Sequence, residues 1–552
     1  MASHVQYSYA IAALIILIPL LVIRQRQMPK NERPVMKQNL LATVPRENLP
    51  GYIQKLLAEL GDCVILQADV AAFQQAMDGN WAQQNREIIP ACIVRPRDTQ
   101  QLAKAITILK EEHDSRVRTG SLSTGFFAIR SGGVNPGLGA ATVLDGVVID
   151  LSLFCEVTPA SDESTVTVGT GAKWIDVYKS LDGKGLVVMG GRNSPVGVGG
   201  LTLQGGISFY SPKFGFVCSN AVSYEVVLAD GNIVMASASE HSDLWRVLKG
   251  GSNNFGIVTR FTLRAMPAGL VWASQTIAPA AFQHAKALKA YHDYLNHVSS
   301  GQPGAFDENA AGPILSFVYV QRLGLQLISL NLMYTKAPGD KKWPTHWKET
   351  NFSSLWPLYR SSKVQSHTSC IERFGRTSPA GTRHVQGTTT IRNNAETIKA
   401  AYDIFYQTKT KLRHIKGLLF PFVFQAILPE WMNKGFPNIL GLEGCTEPLI
   451  IINCSITWAE IDDDELVRSS IREMFEQIDT AAEARKCGHR YRYMNYCMEW
   501  QHPYEGCGEE NRELMRKASQ KYDPSGLFQT GCTSGFKLPA SIMSRYDTNK
   551  TD

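Results

Sequence analysis

A chain of 552 residues is longer than a single hydrophobic core usually requires, so about two to four domain-sized units are expected. Hydrophobic residues make up 44% and charged residues 19% of the chain, which is typical of a globular protein and excludes a largely disordered one. The formal net charge of +6 is small for this length, and no long block of lysine and arginine interleaves with aromatic residues. Nucleic acid is therefore not an expected partner.

The eleven cysteines are scattered along the chain. They lack the paired short spacing that is typical of a zinc site, so no metal centre is predicted. Core thiols or halves of disulfides are the expected roles. The sequence also lacks the HExxH, GxxxxGK[ST] and GxSxG motifs, which removes support for a metalloprotease, a P-loop enzyme or an α/β-hydrolase.

The first residues predict a membrane anchor. Residues 1–23 contain no Asp, Glu, Lys or Arg, and Arg24 and Arg26 follow at once. The apolar stretch within residues 7–23 is just long enough to span a bilayer. The start of the chain is not basic and the residues after the apolar stretch form a poor cleavage site, so an uncleaved anchor is favoured over a signal peptide. Cleavage would instead make the protein secreted.

The side of the membrane on which the body lies stays open. The basic residues after the apolar stretch favour a cytosolic body, by the positive-inside rule. The sequons at Asn351, Asn453 and Asn549 would suit a lumenal body, although Asn453 lies in a stretch that is typical of a buried strand. The expected location is the endoplasmic reticulum or a related endomembrane.

After the anchor, residues 1–26, we expect a linker and a first helix at 27–85. Residues 86–268 have an α/β pattern, in which Leu102, Ile106 and Leu109 follow helical spacing and short β-branched runs are separated by glycine-rich turns.

Residues 269–489 change to a pattern of longer strands and helices, which predicts a sheet with helices on one side as a second domain. Its predicted strands are 314–320, 326–334 and 449–458, and its predicted helices are 395–412 and 462–486. A final segment, 490–538, has a helix near 509–522, and 539–552 form a tail.

Glycine-rich segments at 130–135, 190–200 and 250–258 are bounded by predicted strands. Glycine lets ligand atoms approach the main chain, and successive amide N–H groups in such loops can hold a pyrophosphate. One such loop is usually only a turn, but several so close together indicate a large anionic cofactor. Neither Gly169 with Gly171 nor Gly197 with Gly199 completes GxGxxG, so the usual NAD motif is not present.

The chain resembles the FAD-binding domain of the vanillyl-alcohol oxidase/p-cresol methylhydroxylase superfamily, through motifs that occur in the family's order. They are residues 90–96, 130–135, 146–152, 195–206, 228–231 and 254–259. The tail resembles the berberine-bridge-enzyme C-terminal motif at 493–496, 521–524 and 527–528. The overall resemblance is to the fungal FAD-linked oxidoreductases of secondary metabolism.

This resemblance implies an α+β fold with a two-subdomain FAD-binding domain of the PCMH type, an antiparallel-sheet substrate domain, and the N-terminal transmembrane helix. It also implies a set of residues that contact the FAD. They are Arg130, Ser131, Gly132, Gly133, Val134, Asn135, Val196, Gly197, Gly199, Gly200, Leu201, Asn254, Gly256, Ile257, Val258, Asn495 and Tyr496.

The chain departs from this family where many relatives attach the flavin covalently. Val134 stands where many have histidine, and Asn193 where some have cysteine. Because neither side chain can form these bonds, we expect non-covalently bound FAD. Such a flavin is expected to be less oxidising.

By the same resemblance Tyr496 is the candidate catalytic base, in a position to accept a proton near the flavin. A tyrosine needs nearby positive charge for this role at neutral pH, and Arg490, Arg492 or His502 could supply it. The alternative is that Tyr493 and Tyr496 only pack beneath the flavin ring. Glu499 is a lesser candidate for the base.

The expected function is a two-electron oxidation of a hydrophobic small molecule in secondary-metabolite biosynthesis, with molecular oxygen reoxidising the flavin. A sugar or lactone oxidase is disfavoured by the tail motif. A flavin-dependent cyclase without net redox chemistry, or a catalytically silent scaffold at a membrane, remains an alternative.

Overall fold

The computed structural model describes residues 46–375 and 380–539. The predicted anchor, residues 1–26 with its apolar stretch at 7–23, lies outside the described residues, as do residues 540–552. Within the described ranges, no helix is both long enough and apolar enough to cross a bilayer.

The first unit is a four-stranded sheet in the order β1–β2–β4–β3, in which β2, β4 and β3 run parallel and β1 is antiparallel to β2. The strands are β1 Val64–Leu66, β2 Cys92–Val94, β3 Phe127–Arg130 and β4 Val147–Asp150. The helices are α1 Gly51–Leu60, α2 Val70–Met77, α3 Gln83–Arg86 and α4 Thr99–Thr119.

Local sequence explains the limits of α4. The Asp98 side chain accepts a hydrogen bond from the Gln101 backbone N–H, which caps the first turn. Gly120 ends the helix with φ 67°, a left-handed conformation that favours glycine. Leu102, Ile106 and Leu109 are fully buried, so the helical spacing predicted from the sequence is confirmed.

The second unit is an antiparallel sheet in the order β5–β6–β10–β8–β9, with β7 paired to the far end of β10. Its strands are β5 Val157–Pro159, β6 Thr165–Gly169, β7 Leu186–Val188, β8 Ala221–Val227, β9 Ile233–Ser237 and β10 Ile257–Pro267. Its helices are α5 Trp174–Leu181, α6 Val198–Leu203, α7 Ser211–Phe214 and α8 Ser242–Val247.

The third unit is a seven-stranded antiparallel sheet in the order β14–β11–β13–β12–β16–β17–β15. Its strands are β11 Val271–Pro279, β12 Ala310–Val320, β13 Leu325–Tyr334, β14 Tyr359–Gln365, β15 Arg383–Arg392, β16 Leu419–Ile427 and β17 Leu449–Trp458. The helices that follow the second unit are α9 His284–Val298, α10 Thr345–Lys348, α11 His367–Gly375, α12 Ala395–Leu412, α13 Pro429–Met432, α14 Asp464–Ala484 and α15 Glu509–Tyr522. The strands and helices predicted for this region are confirmed, and β12 turns into β13 at Gly324 with φ 61°.

One face of the third sheet packs against α9, α12 and α14 in the largest hydrophobic cluster. On β17, Ile452, Cys454 and Ile456 enter this cluster. Successive side chains of a strand point to opposite faces, so Asn453 and Ser455 point the other way. The face away from the helices is therefore partly polar, and it is directed toward the first two units.

The start of β15 is held to the first unit by polar contacts. Arg383 is 5% exposed and its Nη1 lies 2.8 Å from Glu87 Oε1, while its other nitrogens pair with Asp464. The Gln84 side chain donates to the His384 carbonyl and accepts from the His384 N–H. These contacts fix the third sheet relative to α3 and the residue that follows it.

The last part of the chain returns to the first unit. The Ser534 hydroxyl accepts a hydrogen bond from Ile129 N–H on β3 at 2.8 Å, and Thr530 Oγ1 lies 2.8 Å from His113 Nε2 on α4. Buried Asp523 accepts hydrogen bonds from the Leu527 and Phe528 N–H groups, which fixes the turn that makes this return.

A lysine is buried in the core of the second unit. Lys249 is fully buried, and its Nζ donates to the Trp245 carbonyl at 2.8 Å and lies 3.0 Å from the centre of the Trp245 ring. The carbonyl and the ring favour the charged form, but loss of water disfavours it more. Burial lowers the pKa of Lys249 to about 6.

Replacing this lysine should change how stability depends on pH. Between the folded pKa of about 6 and the unfolded pKa of about 10.4, this lysine is protonated in the unfolded chain and neutral in the folded one. The unfolded chain therefore binds more protons, and stability rises with pH over this range. Lys249→Met removes this dependence, and we expect the variant to be more stable than the wild type at about pH 7, by a margin that shrinks toward about pH 9. Thermal unfolding at both pH values measures this difference in stability.

Lys399→Met, which removes an exposed lysine paired with Asp403, is the control and should leave the slope of stability against pH unchanged. Equal slopes in the wild type and Lys249→Met would contradict the expectation.

Candidate active site

A cavity of about 300 Å³ lies where the three sheets meet. The first unit contributes the loop after β3, and the second contributes the loops before α6 and before β10. Gln386 and Ser455 line it from the polar face of the third sheet, and the turn Met494–Tyr496 contributes Asn495 and Tyr496.

All predicted cofactor-binding residues except Arg130 and Asn254 line this one cavity. They are Ser131, Gly132, Gly133, Val134, Asn135, Val196, Gly197, Gly199, Gly200, Leu201, Gly256, Ile257, Val258, Asn495 and Tyr496. Three glycine-rich loops that are far apart in the sequence thus converge on the same space. This convergence is what a single large ligand would require.

Arg130 and Asn254 lie behind the loops. Arg130 is 2% exposed and its Nη2 lies 3.0 Å from Asp150 Oδ2. Burial alone would raise the pKa of Asp150, but the charges of Arg130 and Arg95 outweigh it and hold this pKa below its usual range. The Asn254 Nδ2 donates to the Gly251 carbonyl and to the Tyr504 hydroxyl. In this structure both residues support the loops instead of lining the cavity.

The loop after β3 offers donors to an anion. The consecutive backbone N–H groups of residues 132–135 donate no hydrogen bond to any group in the described part of the chain. Backbone N–H groups in native proteins almost always have a partner, and a run of them in a tight loop forms an anion-binding concavity. Gly133, with φ 63°, gives the loop its left-handed step. These donors fit the pyrophosphate of a dinucleotide cofactor.

Two of the loops touch through glycine. A Cβ on Gly132 would lie 2.6 Å from both the Cα and the N of Gly197, and a Cβ on Gly197 would lie 2.6 Å from the Gly132 Cα. No real side chain fits at that distance, so glycine is required at both positions for the two loops to cross. By contrast, a Cβ on Gly200 would have no atom within 4 Å.

The turn Met494–Tyr496 is fixed to the end of α6. The Asn495 Oδ1 accepts from Gly206 N–H at 3.2 Å and its Nδ2 donates to the Leu201 carbonyl at 3.2 Å. The Tyr493 hydroxyl accepts from Ile207 N–H at 2.9 Å. Burial, together with the neighbouring Tyr496, raises the pKa of Tyr493, so its hydroxyl stays protonated. The two tyrosine rings meet edge to face with centres 4.7 Å apart.

The Tyr496 hydroxyl lies in a chain of hydrogen bonds that crosses from the second unit to the third sheet. It accepts from Arg192 Nη2 at 3.1 Å and from Gln425 Nε2 at 3.3 Å. Arg192 Nη2 also donates to Gln425 Oε1 at 2.5 Å, and Gln425 Nε2 donates to Asn453 Oδ1 at 2.9 Å. Both donors favour negative charge on the Tyr496 oxygen, which suits a proton acceptor.

The source of positive charge at Tyr496 differs from the prediction. Arg492 Nη2 lies 2.9 Å from Asp479, and His502 lines a neighbouring cavity of about 340 Å³. The cation whose hydrogen bond Tyr496 accepts is Arg192, which the sequence reasoning missed. Its position directly after Gly190-Gly191, as the cation of the second glycine-rich loop, was the available signal.

The two residues from which a non-covalent flavin was predicted are part of the cavity lining. Val134 and Asn193 both line the cavity, and its lining, within the described ranges, includes no cysteine or histidine. Cys497 and His502 line the neighbouring cavity instead. Glu499, the lesser candidate for the base, also lies there and pairs with Arg468.

The cavity includes further residues that the sequence reasoning did not single out. They include Trp81, Thr170, Arg192, Gln204, Ile207, Ser252, Asn253, Gln386, Ser455, Ser534 and Gly535. Most carry no motif of their own. Gln386 and Ser455 in particular alternate with buried residues as any solvent-facing strand position does.

The chain is similar in sequence to known flavin-binding proteins. The sequence pattern of a family described as an FAD binding domain matches residues 90–237. Over 463 residues the chain is 31% identical to an FAD-dependent monooxygenase of Emericella nidulans, which covers 82% of this chain and 91% of that protein.

Solved structures show the same fold. BBE-like 1 of Physcomitrella patens is 18% identical with a TM-score of 0.68, covering 88% of this chain and 99% of that one. Glucooligosaccharide oxidase of Acremonium strictum, which carries a 6-S-cysteinyl, 8α-N1-histidyl FAD, is 17% identical with a TM-score of 0.64, covering 84% of this chain and 95% of that one. The expected α+β fold, with an FAD-binding part and an antiparallel substrate sheet, is confirmed.

The loop crossing gives a matched pair of variants. Gly132→Ala should lower the free energy of unfolding by about 1–3 kcal/mol, the usual cost of overpacking, because the new methyl group meets the Gly197 backbone. Gly200→Ala should change it by less than about 0.5 kcal/mol, since open space surrounds the new methyl group. Thermal unfolding of both variants measures the difference, and equal effects would show that the crossing does not require glycine.

Proposed function

Because this chain belongs to the family of fungal FAD-dependent monooxygenases and is an FAD-linked oxidoreductase of the berberine-bridge type, we propose that it catalyses the two-electron oxidation of an oxygenated small molecule, with dioxygen as the final acceptor. The family resemblance and the cofactor expected from the motifs are confirmed. A role in secondary-metabolite biosynthesis follows from the fungal relatives.

The observation that carries the proposal is the Tyr496 hydroxyl, which faces the cavity and accepts hydrogen bonds from Arg192 and Gln425. Bound FAD supplies the acceptor for a hydride from the substrate. Tyr496 in its phenolate form, whose negative charge Arg192 and Gln425 stabilise before the transfer, accepts the proton that leaves the substrate oxygen and becomes neutral. Loss of this proton and of the hydride from the adjacent carbon leaves a C=O bond in the substrate. The N–H groups of 132–135 hold the pyrophosphate, and Asn495 fixes the turn that presents Tyr496.

The polar lining modifies the substrate expected from the sequence. Gln386, Ser455 and Arg192 line the cavity beside Tyr496, so a substrate here meets hydrogen-bonding groups as well as apolar ones. Buried polar groups that lack partners are costly, which favours a ligand bearing oxygen atoms at this end. A purely hydrocarbon substrate would leave these groups without partners.

Monooxygenation is the second candidate, since the relative from Emericella nidulans carries that name. In the oxidase reaction, the two electrons from the substrate reduce dioxygen to hydrogen peroxide and no oxygen atom enters the product. In monooxygenation, one atom of dioxygen enters the product and the other leaves as water. Peroxide yield together with labelled dioxygen separates the two.

The role of Tyr496 can be tested with a matched pair of tyrosine variants. A panel of phenolic and enolic compounds, added without oxygen, identifies a compound that bleaches the yellow flavin. With that compound, Tyr496→Phe should slow bleaching by about 10²–10⁴-fold because the proton acceptor is lost. Tyr493→Phe should slow it less than about tenfold, because that hydroxyl only accepts from Ile207 N–H. Bleaching of Tyr496→Phe at the wild-type rate would refute a role as base.

We further propose that the FAD is bound without a covalent link, because Val134 and Asn193 occupy the two positions at which relatives attach it. Acid precipitation of the purified protein should leave the yellow colour in the supernatant. Glucooligosaccharide oxidase of Acremonium strictum, whose FAD is linked to cysteine and histidine, is the control and should give a yellow pellet. A yellow pellet from this protein would overturn the proposal, and Cys497→Ser and His502→Ala would then show whether either residue forms the link.

A further inference from the structure

We propose that Arg192 binds an anionic oxygen group of the substrate, so that the substrates of this site are small molecules with a carboxylate or an ionised hydroxyl next to the bond that is oxidised. The inference rests on the proposed function, since it assigns a substrate class to the same cavity.

The backbone that carries Arg192 is held rigidly. Gly190 and Gly191 lie so close to the buried Trp174 ring that a Cβ on Gly191 would be 2.6 Å from its Cδ1. The Tyr178 hydroxyl donates to the Gly191 carbonyl at 2.9 Å. The guanidinium is therefore presented to the cavity from a fixed point, as recognition of a planar anion requires.

Arg192 differs from other arginines near the site in its lack of an acidic partner. Arg130 pairs with Asp150, Arg383 with Glu87, and Arg492 with Asp479. In the described part of the chain no carboxylate forms an ion pair with Arg192. Its guanidinium donates to the side chains of Gln425 and Tyr496, and its Cζ lies 6.0 Å from the centre of the Phe209 ring.

A half-buried cation is costly unless an anion or an equivalent set of acceptors balances it. Arg192 lines the cavity, so a ligand in that cavity is the group placed to supply the anion. The guanidinium carries five N–H donors in a planar fork, of which the two acceptors named above occupy one nitrogen. The geometry of such a fork matches a carboxylate with two oxygens.

Two side chains of the third sheet also favour a substrate that carries oxygen atoms. Gln386 Nε2 lies 3.4 Å from Ser455 Oγ on the neighbouring strand, and both side chains line the cavity with Arg192. They offer further hydrogen bonds to the oxygen atoms of a substrate. An anion bound to the other nitrogens of Arg192 also lies close to the Tyr496 hydroxyl, because that hydroxyl accepts a hydrogen bond from Nη2 of the same guanidinium. Binding of the anion thus places the adjacent bond near the proton acceptor.

The test titrates the purified flavin-containing protein with benzoate and with benzamide, its neutral analogue, and follows the flavin spectrum. The wild type should bind benzoate at least about tenfold more tightly than benzamide, because only benzoate brings a negative charge to the guanidinium. Arg192→Gln should weaken benzoate binding about 10–100-fold, and leave benzamide binding within about twofold. A parallel titration with 4-nitrophenolate distinguishes an ionised hydroxyl from a carboxylate as the preferred group.

Two further variants serve as controls for Arg192→Gln. Arg264→Gln removes an arginine outside the cavity that stacks on Phe436, and it should leave benzoate binding unchanged. Arg192→Lys keeps the charge but loses the fork, so it should retain the preference for benzoate with lower affinity even if Arg192→Gln does not fold.

The proposal is overturned if Arg192→Gln binds benzoate as the wild type does, or if it loses benzoate and benzamide equally. It is also overturned if the variant only lowers the flavin reduction potential and leaves benzoate binding intact, because Arg192 would then act on the cofactor. A protein purified without any flavin would instead refute the proposed function, so the two failures are distinguishable.

Discussion

The contact between Gly132 and Gly197 sets the geometry on which the site depends. The loop after β3 and the loop before α6 belong to different sheets, and they approach so closely that neither position has room for a Cβ atom. The N–H groups of 132–135 have no acceptor in the described ranges, and the residues that carry them line the cavity. Close packing and ligand binding therefore impose the same residue type at this point, for two separate physical reasons.

The reactive end of the cavity is assembled from parts that are distant in the chain. Arg192 comes from a loop of the second unit, Gln425 from β16, and Tyr496 from the turn after the third unit. Each is held by its own surroundings: Gly191 beside Arg192 lies against the Trp174 ring, Gln425 donates to Asn453, and Asn495 fixes the turn that carries Tyr496. The hydrogen bonds among them join residues of different units. A small shift of one unit relative to another would therefore change the distances from Arg192 and Gln425 to the Tyr496 oxygen.

Much of this arrangement could be predicted from the sequence, because glycine-rich loops and the Tyr493–Tyr496 motif are local. The long elements α12, β17 and α15 were also predictable from periodicity. Gln386 and Ser455 were not, since a polar residue in a strand has the same pattern whether it faces water or a cavity. Arg192 lies in a loop, where no periodicity shows the direction of a side chain, so its contact with Tyr496 was not predicted either. Arg130 and Asn254 were predicted to contact the cofactor but lie behind the loops. A sequence motif identifies a stretch of chain, but it does not show which of its side chains point toward the ligand.

The return of the C-terminal segment has a consequence for biosynthesis. Tyr496, Ser534 and Gly535 line the cavity, and Ser534 also bonds to β3 near the start of the fold. During translation the first two units are synthesised long before these residues. The glycine loops are therefore present before the C-terminal part of the cavity lining exists. The cavity is therefore complete only after almost the whole chain has been made, because the C-terminal segment supplies a part of the lining that the glycine loops do not.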